Sequence, residues 1–168
     1  DNLVALLEGR DDVFSAEQQK TLRGVRAMLP APLWQRATDR LDAQAELTRL
    51  GLPDDELRGL IEAGLLATQT DEAGRECIAR DDLWLLELRA AMQAQGFTRE
   101  LGFTSRDMAI YDEAVTAMLA RETQLMAARL SHLPPERIAE MLERGLPVIH
   151  ELITRLHLSR VRDFVDAL

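Results

Sequence analysis

The chain has 168 residues, of which 46% are apolar, 29% charged and only 4% aromatic, and its formal net charge is −9 at pH 7. This length and composition suit one mainly helical domain, or a small domain with an appended helical bundle. The acidic balance argues against direct DNA binding, which depends largely on Lys and Arg. The sequence contains neither an apolar run long enough to span a bilayer nor a basic-then-apolar leader, so no membrane contact is expected. The single Cys77 excludes an internal disulfide and fits a cytoplasmic protein.

The first fifty residues are predicted to be helical, with one proline-rich break. Residues 2–9 are typical of the end of a helix. Ser15 is a good N-cap for a helix that continues to Leu29, with apolar side chains at three- and four-residue steps. Residues 30–32 contain two prolines and end that helix. A further helix is predicted from Leu33 to Leu50.

The next fifty residues predict two helices around a tight turn, followed by a hairpin and a longer helix. The elements are a helix that ends at Leu50, a turn at Gly51–Pro53, a helix from Asp54 to Gly64, a polar hairpin centred on Asp71–Gly74, and a helix that starts near Asp81. The glycines and the proline mark where these elements end. Helix, turn, helix and short wing in this order predict a winged helix-turn-helix.

Two stretches of this region resemble MerR-family transcription regulators. Residues 47–66, LTRLGLPDDELRGLIEAGLL, are similar to that family's helix-turn-helix, which typically reads xxxxGvsxxtlRyYexxGLL. Residues 71–97, DEAGRECIARDDLWLLELRAAMQAQGF, are similar to its wing and the helix that follows. The matching positions are Gly51, Leu57, Gly64, Leu65, Leu66, Gly74, Arg75, Asp82, Leu83, Leu86, Gly96 and Phe97.

The same alignment shows where this chain departs from the MerR-family pattern. The family's DNA-contacting RyYe is replaced by residues 58–62, RGLIE, so both aromatic side chains are lost. In the wing, Ile78 stands where the family has a second aromatic residue. Residues 43–100 hold six arginines against twelve acidic residues, and the second helix opens with three carboxylates, Asp54 to Glu56. Direct DNA binding by this helix is therefore not expected.

The C-terminal part predicts a long helix and a two-helix tail. The long helix runs from Thr104 to Leu130, and the tail helices cover Pro135–Gly145 and Leu146–Leu168. The predicted fold is therefore mainly α: a winged helix-turn-helix-like lobe with a small β-hairpin wing, followed by a long helix and a helical bundle. We divide it into an N-terminal helical segment (1–42), the lobe (43–103) and the bundle (104–168).

This order of segments resembles the C-terminal effector half of long bacterial MerR-type regulators. In those proteins a DNA-binding winged helix comes first, and a divergent second copy and a helical bundle follow. The resemblance implies a ligand-sensing and dimerisation role, with DNA bound only through a domain upstream of Asp1. It implies a homodimer, formed through the long helix or the tail, and an apolar or amphipathic small-molecule effector.

A ligand pocket is predicted where the lobe meets the long helix, because large apolar side chains crowd into a short window there. These residues are Trp84, Met92, Phe97, Phe103, Met108, Tyr111 and Met118. The alternative interpretation is an ordinary core, and Trp84 and Tyr111 discriminate best because each needs a polar partner when buried. A second possible pocket lies in the tail, near Met126, Met141 and His150.

No catalytic, metal or cofactor site is predicted. His150 and His157 are seven residues apart on one helix, a spacing that zinc sites seldom use. The pair Asp81-Asp82 reads as a helix cap rather than as an acid–base pair, and no phosphate-binding loop or nucleophile elbow is present. Two alternatives to the effector domain stay open: an adaptor whose acidic helix, Asp54–Gly64, docks a basic partner, and direct nucleic-acid binding by the winged helix.

Overall fold

A computed structural model describes residues 15–29 and 37–168, which fall into two compact units. The first unit, as described, comprises residues 37–123, and the second comprises residues 15–29 and 124–168. The predictions for residues 2–9 and 30–36 lie outside the described residues. Within the described ranges no helix is long and apolar enough to cross a membrane. The predicted division into three segments stays a prediction.

The fold is mainly helical, as the sequence predicts, and the described residues also form one small three-stranded sheet, one strand more than the predicted hairpin. The helices and strands, in chain order, are α1 (Ala16–Met28), β1 (Arg40–Asp42), α2 (Ala43–Leu50), α3 (Asp54–Glu62), β2 (Thr68–Thr70), β3 (Glu76–Ala79), α4 (Leu83–Ala94), α5 (Ala109–Leu130) and α6 (Pro135–Asp166). Single 3₁₀ turns precede α4 at Arg80–Asp82 and α5 at Ser105–Met108, and a third covers Arg99–Leu101.

The first unit opens with a strand where a helix was predicted. The helix proposed for Leu33–Leu50 is wrong over Arg40–Asp42, because β1 pairs antiparallel with β3 and places Leu41 opposite Ile78. The Asp42 side chain then accepts a hydrogen bond from the Ala45 N–H at 3.0 Å, which fixes the start of α2. The strand pairing is non-local, so helical periodicity alone could not detect it.

The predicted turn between α2 and α3 is confirmed. Gly51 has a φ of +66°, the left-handed conformation that glycine adopts at little cost. The Leu52 N–H donates to the Leu47 carbonyl at 3.0 Å, and the buried Leu52 side chain closes the end of α2. Pro53 has an extended backbone and directly precedes α3.

The predicted wing is also confirmed, as the hairpin of β2 and β3. Its turn is held by Asp71, whose carboxylate accepts hydrogen bonds from the Ala73 and Arg75 N–H groups at 2.9 Å each. The sheet order is β1-β3-β2, so β3 is central. Its Ile78, which replaces an aromatic residue of the MerR pattern, is fully buried in the core of the unit.

In the second unit, α1 packs against the first turns of α6. Val25 contacts a small cluster with Ile138 and Ala139, and Gly24 lies so close to Pro135 that an added Cβ would come within 2.9 Å of its Cγ. The predicted start of α1 after Ser15 and the predicted start of α6 at Pro135 are both confirmed.

The predicted break between two tail helices is wrong, because α6 continues without interruption to Asp166. Gly145 does not adopt the left-handed conformation that would end a helix, and Pro147 lies inside the helix. Apolar side chains keep the helical spacing across the proline, at Leu142, Leu146 and Ile149. A proline removes one backbone hydrogen bond, and here the helix on both sides continues despite it.

Candidate functional site

An open apolar groove lies in the first unit, between α4 and the start of α5. Its volume is about 390 Å³, within the range of small-molecule sites. The residues that line it are Leu65, Trp84, Leu85, Leu88, Met92, Met108, Tyr111, Asp112 and Val115. Nothing in this lining resembles a catalytic pair, whereas its shape and apolar character suit binding.

Helical spacing on two helices produces the groove. On α4, Trp84, Leu88 and Met92 follow one another at four-residue steps, so they form one stripe along the helix. On the facing segment, Met108, Tyr111 and Val115 recur at steps of three and four residues. Each helix therefore contributes a row of side chains, and the groove lies between the two rows.

The walls of the groove are solvent-exposed although they are made of large apolar side chains. Trp84 is 52% exposed and Tyr111 is 60% exposed, whereas Leu85 and Met108 are buried beneath them. Monomeric proteins rarely leave contiguous apolar surface open unless it contacts something. The groove is thus a concave surface open to solvent rather than part of the core.

Four of the seven predicted pocket residues come together in this groove: Trp84, Met92, Met108 and Tyr111. Phe97 and Phe103 lie instead on the segment between α4 and α5, where their rings meet edge to face at 5.3 Å. Met118 is half-buried further along α5 and does not line the groove. The alternative tail pocket stays a prediction.

Five lining residues were missed: Leu65, Leu85, Leu88, Asp112 and Val115. Leu88 and Val115 could have been found, since each lies four residues from a predicted aromatic member. The prediction was limited by its attention to aromatic residues and methionines.

A buried ion pair that the sequence analysis did not predict joins α4 to α3. Arg89 is 1% exposed and Glu56, on α3, is 2% exposed. The Arg89 Nε and Nη2 atoms donate to the two Glu56 carboxylate oxygens at 3.0 and 2.8 Å. This two-pronged geometry is the strong form of an arginine–carboxylate contact.

The same pair also holds the segment that connects α4 to α5. Arg89 donates to the backbone carbonyls of Phe97 and Phe103 at 3.2 and 3.1 Å. Ser105 donates its N–H to Glu56 at 2.8 Å, and its hydroxyl donates to the same oxygen. The position of the Ser105–Met108 turn, and with it one wall of the groove, therefore depends on these two charged side chains.

The electrostatics of Glu56 reflect this environment. Burial raises the pKa of its carboxyl, but the hydrogen bonds from Arg89 and Ser105 outweigh burial and hold that pKa below its ordinary value. Glu56 is thus a buried carboxylate kept charged by its partners. Counting it among the acidic surface residues of α3 was wrong.

Two other acidic side chains of α3 are paired with arginines from other parts of the chain. Asp55 pairs with Arg99, and Glu62 pairs with Arg106. Arg58 lies in the same small cleft, and within the described residues no partner engages its guanidinium. Arg58 is part of α3, whereas Arg99 and Arg106 reach α3 from the segment between α4 and α5. The sequence alone could not assign these two arginines to α3.

Part of the α3 surface is covered. The Ser105–Met108 turn packs against Gly59, where an added Cβ would lie 3.3 Å from the Ser105 Cβ. A helix inserted into the DNA major groove needs an uncovered face. On α3 the remaining exposed positions are Asp54, Arg58 and Glu62, which carry mixed charge.

The histidines and the paired aspartates considered in the sequence lie in different elements of the described chain. His150 and His157 are both exposed on α6. Asp82 occupies the N-cap position of α4, and Asp81 accepts a hydrogen bond from the Ala37 N–H. Across residues 15–29 and 37–168, no group of three or more His, Cys, Asp or Glu side chains is placed to hold a metal ion.

Comparison of the chain with protein-family models, with curated proteins and with solved structures found no match to any of them. The MerR-family resemblance thus rests only on the residues quoted for it. The features that bear on function are the groove, the ion pair that supports it and the exposed surface of α6.

Proposed function

We propose that this chain is the ligand-sensing and dimerisation part of a bacterial MerR-type transcription regulator. Its groove would hold an apolar or amphipathic effector, and DNA would be bound by a domain upstream of Asp1. The observation that carries the proposal is the open groove, because it places Trp84 and Tyr111 on the wall of a cavity of about 390 Å³ instead of in the core. The proposal includes no catalytic role and no cofactor.

The lining supports binding of a ligand with a mainly apolar body. Methionine adapts to varied ligand shapes because its side chain is unbranched and polarisable, and Met92 and Met108 both line the groove. Tryptophan and tyrosine supply large, stiff contact surfaces. Filling such a groove removes exposed apolar area from water, which favours the complex.

The connection of the groove to the rest of the chain supports a sensing role. Tyr111 and Val115 lie in the first two turns of α5, a helix that continues to Leu130. A ligand that presses on these side chains acts directly on the start of that helix. Sensing requires that a ligand prefer one arrangement of such an element over another.

An experiment with the neutral fluorescent dye Nile red tests the groove directly. We expect saturable binding by the full chain and about tenfold weaker binding by the Trp84→Ala variant, because an aromatic wall contributes roughly 1–1.5 kcal/mol. Phe97→Ala is the matched control, since Phe97 is also a partly exposed aromatic residue but lies outside the groove. Equal affinities of the wild type, Trp84→Ala and Leu88→Glu would overturn the proposed site.

The exposed surface of α6 supports the dimerisation part of the proposal. Every side chain from Thr154 to Leu168 is exposed, although many are large and apolar. The exposed apolar residues of α6 are Met141, Val148, Leu152, Leu156, Leu158, Val161, Phe164 and Val165. At 100° per residue, Met141, Val148, Leu152 and Leu156 share one side of α6, and the other four residues lie on the opposite side. A second copy of the chain would bury exposed apolar surface of this kind, as paired helices do.

Sedimentation velocity tests this dimer. The wild-type chain is expected to sediment as a dimer at micromolar concentration, and a double variant with Leu152→Glu and Phe164→Glu as a monomer. Both positions are exposed, so the fold of the variant should be retained, which circular dichroism checks. A wild-type chain that stays monomeric at high concentration contradicts this part of the proposal.

One observation favours the second candidate, direct DNA binding: Arg58, Arg99 and Arg106 gather beside α3. Against it, two of the three are paired with carboxylates, and the Gly59 face of α3 is covered. Titration with duplex DNA separates the candidates. Weak binding supports the effector domain, whereas tight binding that weakens steeply with salt supports DNA contact.

The adaptor alternative loses support for a related reason. It required an acidic α3 to attract a basic partner, but Glu56 is buried and Asp55 and Glu62 already have arginine partners. The exposed charge that remains on this helix is close to balanced.

A further inference from the structure

The groove is apolar except at one position. Of the nine described residues that line it, Asp112 alone carries a charge. Its side chain is half-buried, and within the described part of the chain neither a hydrogen bond nor an ion pair engages the carboxylate. Asp112 therefore brings a negative charge without a protein partner to a groove that is otherwise apolar.

A simpler explanation would be that Asp112 only stabilises the start of α5 through the helix dipole. The helical segment, however, already begins at the Ser105–Met108 turn, which joins α5 directly. Its start is closed by a capping box in which the Thr104 N–H donates to Asp107 at 2.7 Å. Asp112 also lies in the first turn of α5 itself, where the helix dipole favours a negative charge. That effect does not account for its place in the lining of the groove.

Resting on the proposed function of the groove, we propose that its ligand is an amphipathic cation. An aromatic or branched aliphatic body would lie against Trp84, Leu88 and Met92, and an ammonium or amidinium group would lie beside Asp112. Tyr111 precedes Asp112 on α5 and also lines the groove, so its ring can face the same positive group. Aromatic faces attract cations, most strongly where water is partly excluded.

The charge of the groove makes this ligand class selective. A neutral ligand would leave the Asp112 carboxylate without a partner, and an anion would meet a like charge. A cation alone gains from both the carboxylate and the aromatic rings. The net charge of the chain, −9, also raises the local concentration of cations over anions.

Three ligands with one body and three head groups test the inference. They are (4-biphenylmethyl)trimethylammonium, 4-biphenylmethanol and 4-biphenylacetate, titrated into the full chain by isothermal calorimetry at low and high salt. We expect the ammonium compound to bind about tenfold tighter than the alcohol at low salt, and the acetate to bind most weakly. High salt should reduce the difference in affinity between the ammonium compound and the alcohol.

Two variants assign that difference to one side chain. Asp112→Asn should lower the affinity of the ammonium compound toward that of the alcohol, and should not weaken binding of the alcohol. Glu113→Gln is the matched control, because it removes the same charge from the adjacent, exposed position of α5 and should retain the preference.

The outcomes separate this inference from the proposed function. If all three compounds bind equally and Trp84→Ala weakens all of them, the groove is a ligand site but the inference about charge is wrong. If Glu113→Gln lowers the preference as much as Asp112→Asn does, the preference comes from overall charge and the inference also fails. If none of the three compounds, nor Nile red, binds, the proposed function fails and the inference fails with it.

Discussion

The two faces of α4 are built from the same twelve-residue segment but have opposite character. On one face, Leu86 and Arg89 are buried, and Arg89 has donors engaged with Glu56 and with two backbone carbonyls. On the other face, Trp84 and Leu88 are more than half exposed although they are apolar. The first face is buried and the donors of its arginine are engaged, whereas the second is apolar and open.

The two faces of α4 therefore have different roles. The buried ion pair fixes α3, α4 and the Ser105–Met108 turn to one another, which sets the position of the groove wall. The open face then needs no further packing partner to keep its shape. A binding site is most effective when its walls are held by contacts outside the site, and here those contacts lie on the buried side of the same helix.

The largest effect is expected from removing the buried arginine. Arg89→Met leaves the Glu56 carboxylate buried without its partner, which typically costs ~3–5 kcal/mol of the free energy of unfolding. Urea denaturation followed by circular dichroism measures this loss. Arg49→Met is the control: the Arg49 side chain is half exposed, as is that of its partner Glu87, and its other partner Glu46 is only partly buried. Ion pairs with an exposed member contribute about 1 kcal/mol or less.

A double variant sharpens this result. Glu56→Gln combined with Arg89→Met removes both charges, so it should recover part of the stability that Arg89→Met loses. If Arg89→Met and Arg49→Met destabilise the chain equally, the Arg89–Glu56 pair is not buried in solution and the contrast between the two faces of α4 is wrong.

The next largest effect is expected in how the free energy of unfolding changes with pH. The Glu56 pKa is lower in the folded chain than its ordinary value of 4.5, so the unfolded state binds the proton more readily. The stabilisation is therefore complete above about pH 4.5 and is lost as the pH falls through the folded-state pKa. Urea unfolding of wild type and Glu56→Gln at pH 7, 5, 4 and 3 checks this.

The comparison between those two proteins isolates Glu56. Other carboxyls with lowered pKa, such as those of Asp71 and Glu140, are present in both and cancel. Wild type should lose more stability than Glu56→Gln over the acid range. Parallel curves for the two proteins would show that Glu56 titrates normally in the folded chain.

Local signals in the sequence predicted the turn and the wing, because Gly51, Pro53 and the Asp71–Gly74 hairpin specify their own backbone conformations. The three-residue β1 was missed because its only support is pairing with β3, more than thirty residues later. The continuous α6 was missed because a local rule for Gly145 and Pro147 was preferred over the apolar spacing that crosses them.

The candidate site was predicted in part for similar reasons. Helical periodicity brought Met108 and Tyr111 to one face of the long helix, and the crowding of large apolar side chains added Trp84. The sequence could not show which surface would stay open. The Arg89–Glu56 pair joins residues 33 positions apart, and nothing local indicates it. A weak signal existed, since Arg89 lies three residues after Leu86 on the buried stripe of α4.

The smallest effect on stability is expected for a substitution on the open face of α4. It is compared with the same leucine-to-alanine substitution on the buried face. Leu86→Ala should lower the free energy of unfolding by ~2–5 kcal/mol, because it leaves a cavity in the core. Leu88→Ala should change it by less than ~1 kcal/mol, because that side chain is half exposed. The effect on ligands should be reversed, with Nile red binding weakened only by Leu88→Ala. If Leu88→Ala destabilises the chain as much as Leu86→Ala does, the groove is closed in solution and its walls belong to the core.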